Sequence, residues 1–141
     1  YKFRIKSNEN NYSIFDILRK KYVVLTPEEW VRQHFVHYLI HDKGYPISLI
    51  AVEKKLLVNN LVKRTDILVF NTDGKPFIIV ECKAPSIAIT QSAFDQIARY
   101  NSNLNGKYLV VTNGLKHLYC SIDHTKEQYV FLENIPDYTQ I

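Results

Sequence analysis

The sequence lacks methionine altogether and contains only two cysteines and four glycines among its 141 residues. Without an initiating methionine, the chain is expected to be a piece of a longer translation product. Cys82 and Cys120 are too few for the disulfide framework of a small secreted protein, which favours a reducing, cytoplasmic location. No apolar run reaches the roughly 18 residues that a membrane-spanning helix needs, and no signal peptide is visible. We therefore expect no membrane partner.

Length and charge narrow the class of protein further. A chain of 141 residues is long enough for a sizeable core. We predict a single domain over residues 1–141, with its core at about residues 26–121. The formal net charge of +4 and the pI near 9.0 permit a polyanionic partner, but a charge this modest does not identify one.

The stretch from residue 65 to residue 86, TDILVFNTDGKPFIIVECKAPS, contains the strongest local signal. Two runs rich in Val, Ile and Phe flank Asp73-Gly74, a pair that is typical of a two-residue β-hairpin turn. With this pair as the turn, Phe70 is predicted to face Phe77. Pro76 is the residue that could lengthen the turn and shift this register.

The same register places two acidic side chains opposite each other, Asp66 and Glu81. Because side chains alternate along a strand, Lys83 is predicted to share their face, with Cys82 on the other. Directly opposed β-carbons lie about 4.5–5.5 Å apart, where two carboxylates repel and weaken the sheet. A divalent metal would remove that penalty, since Mg²⁺ is commonly held by one or two carboxylates, waters and substrate phosphate. The alternative is two frayed strand ends with solvated acids.

A helix is predicted to begin at Thr26-Pro27-Glu28-Glu29, where Thr26 suits the N-cap and Pro27 the first helical position. Apolar residues at helical spacing continue toward Gly44. Glu29 has two interpretations, a capping residue or an acid that hydrogen-bonds a metal-bound water, and spacing alone favours the cap. Three histidines on this helix are interpreted as a solvated face rather than a zinc site; they are His34, His37 and His41.

A third acid extends the predicted row. Residues 51–58 and 61–70 are predicted strands around Asn59-Asn60. With that pair as the turn, Glu53 faces Asp66 from the other side. Glu53 is a second-tier candidate, because Asn-Asn is a weaker turn signal than Asp-Gly.

The rest of the chain predicts a crossover and a second half of the sheet. A helix capped by Thr90 is expected to run to about Asn103, with Gln96 and Tyr100 on one face at i, i+4 spacing. That face is either an ordinary polar surface or part of a site. The connection is long enough for a parallel crossover, which predicts an α/β fold, a mixed sheet flanked by helices. Strands are expected at residues 107–112, 115–120 and 127–132.

This order and these motifs resemble the PD-(D/E)xK nuclease superfamily. An acid on one strand and acid-x-lysine on the next correspond to Asp66 and Glu81-Cys82-Lys83, and the restriction-endonuclease-like αβββαβ core matches the predicted order. The chain is most similar to the N-terminal nuclease domain of type I restriction enzyme R subunits. The matching stretches are TPEEWVRQHFVHYLI, RTDILVF, GKPFIIVECKAPS and QIARY followed by VVTNG.

The resemblance implies a role for each matching residue. Asp66 and Glu81 would bind Mg²⁺ or Mn²⁺, and Lys83 would orient or activate the attacking water. Glu29 matches a helix-borne acid that many members use as an additional group at the metal site. Two further residues fit the QxxxY motif and would position the DNA strand or the lysine, Gln96 and Tyr100.

The function implied is a Mg²⁺-dependent deoxyribonuclease that hydrolyses the DNA backbone with a metal-activated water. The sequence has no GxxxxGK[ST] phosphate loop, so a helicase or translocase, or a specificity subunit, would be a partner. Two alternatives stay open. One is a DNA-binding or interaction module that is inactive or weakly active without its partner, and the other is an RNA nuclease.

Overall fold

Nine strands and two α-helices form in residues 1–140, the part of the chain that the computed structural model describes. A small antiparallel sheet comes first, followed by helix α1, a π-helical turn over Tyr38–Asp42, and the main sheet with helix α2. Within these residues, no helix is long and apolar enough to cross a membrane. The elements are β1 (Ile5–Ser7), β2 (Tyr12–Asp16), β3 (Lys21–Val24), α1 (Pro27–His37), β4 (Ile50–Val58), β5 (Leu61–Phe70), β6 (Pro76–Cys82), α2 (Gln91–Asn101), β7 (Tyr108–Thr112), β8 (His117–Asp123) and β9 (Gln128–Leu132).

The main sheet has the strand order β4-β5-β6-β7-β8-β9. Every neighbouring pair is antiparallel except β6 and β7, which are parallel and joined by the crossover through α2. A parallel pair needs such a crossover because its strands cannot be joined by a tight turn. The predicted mixed α/β sheet flanked by helices is confirmed.

Both faces of the central strands are buried, which explains their continuous apolar runs. One face packs with α1, where Phe35 and Leu39 join Ile67 of β5 in a single core cluster. The other face packs with α2, where Phe94 and Leu68 belong to a second cluster. The sheet therefore separates two hydrophobic cores.

Both predicted helix starts are confirmed by their hydrogen bonds. The hydroxyl of Thr26 accepts from the backbone N–H of Glu29 at 3.0 Å, and that of Thr90 accepts from the N–H of Ala93 at 3.1 Å. Each bond satisfies a donor at the first turn that has no partner within the helix. These caps fix where α1 and α2 begin, and with them the residues on each first turn.

One predicted turn is confirmed and the other is wrong. Asn59 and Asn60 form the two-residue β4–β5 turn, with positive φ of 50° and 64°. The β5–β6 turn is longer than Asp73-Gly74, since the N–H of Asn71 donates to the carbonyl of residue 75 at 2.8 Å. Phe70 consequently pairs with Pro76 rather than Phe77. Pro76 has no N–H to donate to a ladder, and the register shifts next to it, between residues 69 and 70.

The histidines of α1 are not a solvated face. His34 packs with its ring 4.7 Å from that of Phe3, and His37 packs 4.8 Å from the same ring. His37 is buried, and of the three only His41 is exposed. The prediction is wrong because residues near the start of the chain cover this side of the helix, a tertiary contact that helical spacing does not reveal.

Candidate active site at the ends of β5 and β6

Asp66 and Glu81 lie side by side on neighbouring antiparallel strands. Ile67 is opposite Val80 in the last pair of the ladder, and Asp66 and Glu81 are the next residues beyond this pair on each strand. The Asp66 carboxylate accepts a hydrogen bond from the backbone N–H of Cys82 at 2.8 Å. This bond holds Asp66 at the end of β6 that carries the second acid. The structure therefore brings together the two acids that the sequence predicted to meet.

Glu81 has the most perturbed carboxyl group of this site. Its side chain is largely buried, and its Oε1 atom has no hydrogen-bond partner within the described residues. Burial raises the pKa of Glu81 to about 8, and the charge of the Asp66 carboxylate and a hydrogen bond with it raise it further, against the opposing effect of Lys83. Without a cation, Glu81 therefore holds its proton near pH 7.

A cavity of about 370 Å³ opens beside Glu81, between the end of β6 and helix α2. Lys83, the residue after β6 ends, contributes its side chain, and its backbone N–H donates to the carbonyl of Thr112 at 2.8 Å. Gln96 and Tyr100, one turn apart on α2, face the same space. We call it the α2 cavity; its lining residues are Arg64, Glu81, Lys83, Gln96, Ile97, Tyr100 and Asn101.

The other acids surround a buried arginine that the sequence analysis did not single out. Arg32, only 5% exposed, donates to Glu29 at 2.8 Å and to Asp66 at 3.0 Å. It also lies 3.4 Å from a carboxylate oxygen of Glu28 and 3.6 Å from one of Glu53. Burial alone would lower the pKa of Arg32, but hydrogen bonds and charges from Asp66 and Glu29 raise it above its ordinary value. Arg32 is therefore a permanent cation among four carboxylates.

A second arginine completes this network from the small sheet. Arg19 lies in the turn between β2 and β3 and donates to Glu29 at 2.8 Å and to Glu53 at 3.2 Å, besides its bond to Asp16. Gln33 donates to the other oxygen of Glu29 at 3.1 Å. The Glu29 side chain thus lies in the network rather than acting as a cap, so the capping interpretation of this carboxylate is wrong.

Glu53 lies on the arginine side of the site. It has a positive φ of 49° and drops out of the ladder between the Val52–Ile67 and Lys54–Thr65 pairs. Its carboxylate contacts the two arginines. The predicted row of acids across the three strands did not include these contacts. The sequence signals for this network are the i, i+3 spacing of Glu29 and Arg32 and the i, i+4 spacing of Glu28 and Arg32 on one helix. The contact between Arg19 and Glu53 has no such signal, because these residues are 34 positions apart.

A metal site here would have to be built from few protein ligands. Within residues 1–140, no group of three or more His, Cys, Asp and Glu side chains is placed to hold a metal ion. Two carboxylates completed by waters and substrate phosphate are nevertheless an ordinary set for Mg²⁺. The unpartnered Oε1 of Glu81, buried beside a second carboxylate, fits such an ion.

A family model for the type I restriction enzyme R protein N terminus matches residues 27–136. The chain belongs to this family. The family inferred from the sequence motifs is thereby confirmed. A search of the curated proteins finds no match to this chain.

The fold is similar to that of a solved structure, "The fragment structure of a putative HsdR subunit of a type I restriction enzyme from Vibrio vulnificus YJ016". It superposes with a TM-score of 0.56 at 21% sequence identity, over 79% of this chain and 24% of that chain. This R-protein N-terminal domain therefore spans about a quarter of the length of the structure that it matches.

Removing the Arg32 guanidinium should leave several carboxylates close together without the cation that lies among them. We expect Arg32→Met to lower the free energy of unfolding by about 3–5 kcal/mol, the usual cost of breaking a buried ion pair. The control is Lys43→Met, whose partner Asp137 is 47% exposed; it should cost less than about 1 kcal/mol. Urea denaturation in EDTA measures both. Equal costs would show that the Arg32 network does not stabilise the fold.

Replacing Glu81 by its neutral isostere should change how stability depends on pH. The ordinary pKa of this carboxyl is 4.5, and the folded value is about 8. Between these values the unfolded chain loses the proton while the folded protein keeps it, so the contribution of Glu81 to stability falls as pH rises and levels off above about 8. Metal-free Glu81→Gln should match the wild type near pH 4 and become progressively more stable than it toward pH 8. Denaturation at pH 4, 6 and 8 in EDTA tests this, and a variant less stable at every pH would instead make Glu81 a structural hydrogen-bonding residue.

Proposed function

We propose that this R-protein N-terminal domain is a metal-dependent DNA phosphodiesterase. The observation that carries the proposal is the Glu81 carboxyl, which is buried beside Asp66, has an oxygen without a partner, and faces the same cavity as Lys83. A carboxyl in this state is costly for a fold and useful for holding a cation, and strongly perturbed groups of this kind cluster at functional sites.

Asp66 and Glu81 would hold Mg²⁺ or Mn²⁺. When bound, such an ion supplies a Lewis acid that stabilises negative charge on the scissile phosphate. Glu81 must give up its proton to bind a cation, so metal affinity should rise with pH up to about 8. Asp66 is already oriented in the site, because Arg32 and the N–H of Cys82 bond its two oxygens.

The remaining residues bind and orient the substrate. Lys83 places an ammonium group at the α2 cavity, where it would stabilise charge that develops on the phosphate. Gln96 and Tyr100, on the opposite wall, would position the DNA strand. Glu29 bonds two arginines and would act through Arg32 on the orientation of Asp66, which makes it a positioning residue in this scheme.

The second candidate function is a DNA-binding or interaction module that needs a partner subunit for activity. One observation favours it: both Asp66 oxygens already accept hydrogen bonds, so an ion must share Asp66 with Arg32. The partner would be a helicase or translocase, or a specificity subunit, as expected for a chain without a GxxxxGK[ST] loop. This module would bind DNA in a salt-sensitive way and would cleave none of it.

Cleavage of plasmid and linear DNA in Mg²⁺, Mn²⁺ or EDTA tests the proposal. We expect cleavage only with metal, and Asp66→Ala or Lys83→Ala should slow it by at least about 100-fold, the loss seen when transition-state charge loses one stabilising group. Controls are Asp73→Ala and Lys75→Ala, exposed residues in the β5–β6 turn at the other end of the sheet, which should cleave at the wild-type rate.

Three results would change the assignment. Full activity in both Asp66→Ala and Lys83→Ala would reject this site. Salt-sensitive DNA binding with no turnover under any metal would establish the second candidate. A faster reaction on RNA of the same sequence would make the substrate RNA.

A further inference from the structure

The hairpin formed by β4 and β5 carries a concentration of positive charge. Residues 54–65 contain four cations and no acid; the cations are Lys54, Lys55, Lys63 and Arg64. The whole chain has a formal net charge of +4. Residues 54–65 therefore carry a formal charge equal to that of the entire protein, while positive and negative residues balance over the rest of the chain.

The sheet gains nothing from this arrangement of charges. Lys55 lies directly opposite Arg64 in the ladder, and like charges opposed in this way destabilise a sheet. Lys54, Lys55 and Arg64 are exposed. No ion pair among residues 1–140 involves any of the four cations, whereas Arg32 is surrounded by acids. An unpaired cluster that costs stability is well suited to an external anion.

The base of this hairpin is attached to the wall of the α2 cavity. The Lys63 ammonium lies 4.8 Å from the centre of the Tyr100 ring and bonds the carbonyl oxygen of the same residue. The backbone N–H of Arg64 donates to the Tyr100 hydroxyl at 3.3 Å. Arg64 itself lines the cavity with Glu81 and Lys83. Two of the four cations, Lys63 and Arg64, therefore lie at the wall of the α2 cavity.

We propose that the β4–β5 hairpin binds the phosphate backbone of a nucleic acid strand and guides it to the α2 cavity. This rests on the proposed function, because a phosphodiester in the cavity is continuous with further phosphates on either side. Those phosphates recur along the strand, as the cations recur along the hairpin, and their binding would relieve the Lys55–Arg64 repulsion. If the hairpin bound a flat anionic surface instead, Arg64 would not need to lie at the α2 cavity.

Two matched double variants test the proposal by fluorescence anisotropy with a labelled 30-base-pair DNA duplex. The measurement uses the 141-residue chain in EDTA, which prevents metal-dependent cleavage, at salt concentrations from 50 to 200 mM. Lys54→Ala/Lys55→Ala should weaken binding about 10-fold at 100 mM salt and lower the slope of log K against log salt by about 1.8, or 0.9 for each lost phosphate contact. It should melt no lower than the wild type, because a repulsion has been removed.

The control removes the same charge from the opposite end of the sheet. Lys75 and Lys126 are exposed and lie in the β5–β6 and β8–β9 turns. Lys75→Ala/Lys126→Ala should bind DNA within about two-fold of the wild type with an unchanged salt slope. Lys54→Arg/Lys55→Arg keeps the charge and should also retain both affinity and slope.

The possible failures can be told apart. If the wild type binds DNA and the Lys54→Ala/Lys55→Ala variant binds it with the same affinity and slope, the hairpin proposal is overturned and the proposed function stands. If the wild type binds no duplex DNA, single-stranded DNA or RNA, both the hairpin proposal and the proposed function are overturned. If the hairpin variant loses binding to phosphatidylserine vesicles but keeps its affinity for DNA, the hairpin is a membrane-facing surface instead.

Discussion

Two carboxyl groups meet in a largely buried place at the ends of β5 and β6, and either a proton or a cation must lie between them. Charged carboxylates lose most of their hydration there, which is why the pKa of Glu81 rises to about 8. The backbone N–H of Cys82 fixes Asp66 in this position, so the pair cannot move apart without breaking a hydrogen bond of the strand end. The fold therefore holds together two carboxyl groups that repel each other when both are charged, and a divalent ion between them would remove this repulsion.

Two arginines, Arg19 and Arg32, separate the acids of the site into two groups. Glu29 and Glu53 are neutralised by Arg19 and Arg32, which belong to the protein and stay charged at any physiological pH. Glu81, by contrast, has no arginine partner within the described residues and faces the α2 cavity with Lys83. Asp66 belongs to both groups, because one oxygen bonds Arg32 while its charge acts on Glu81. This division explains why several acids can lie close together in the site.

Local signals explain how much of the fold the sequence revealed. The caps at Thr26 and Thr90, the Asn59-Asn60 turn and the register around Ile67 all depend on residues near one another in the chain, and all are confirmed. The lack of acids in residues 54–65 can also be read from the sequence. What the cations of this segment bind depends, however, on which residues they face in the fold. The β5–β6 turn was predicted too short because Pro76 removes a ladder donor.

Contacts between distant parts of the chain account for what sequence reasoning missed. The arginine network joins the β2–β3 turn, the first turns of α1, and strands β4 and β5, with partners up to 34 residues apart. The burial of His37 depends on Phe3, which lies in another part of the chain. Helical spacing correctly placed Gln96 and Tyr100 together, yet only the crossover brings them to the cavity beside Glu81.

A crystal structure of the chain soaked with Mn²⁺, with anomalous scattering recorded at the manganese edge, would show whether Asp66 and Glu81 hold the metal. We predict a manganese peak in contact with both carboxylates, with Arg32 still bonded to Glu29. A peak among Glu29 and Glu53 with Arg32 displaced would contradict it. Saturating Mn²⁺ that leaves the Glu81 oxygen without a partner would contradict it as well.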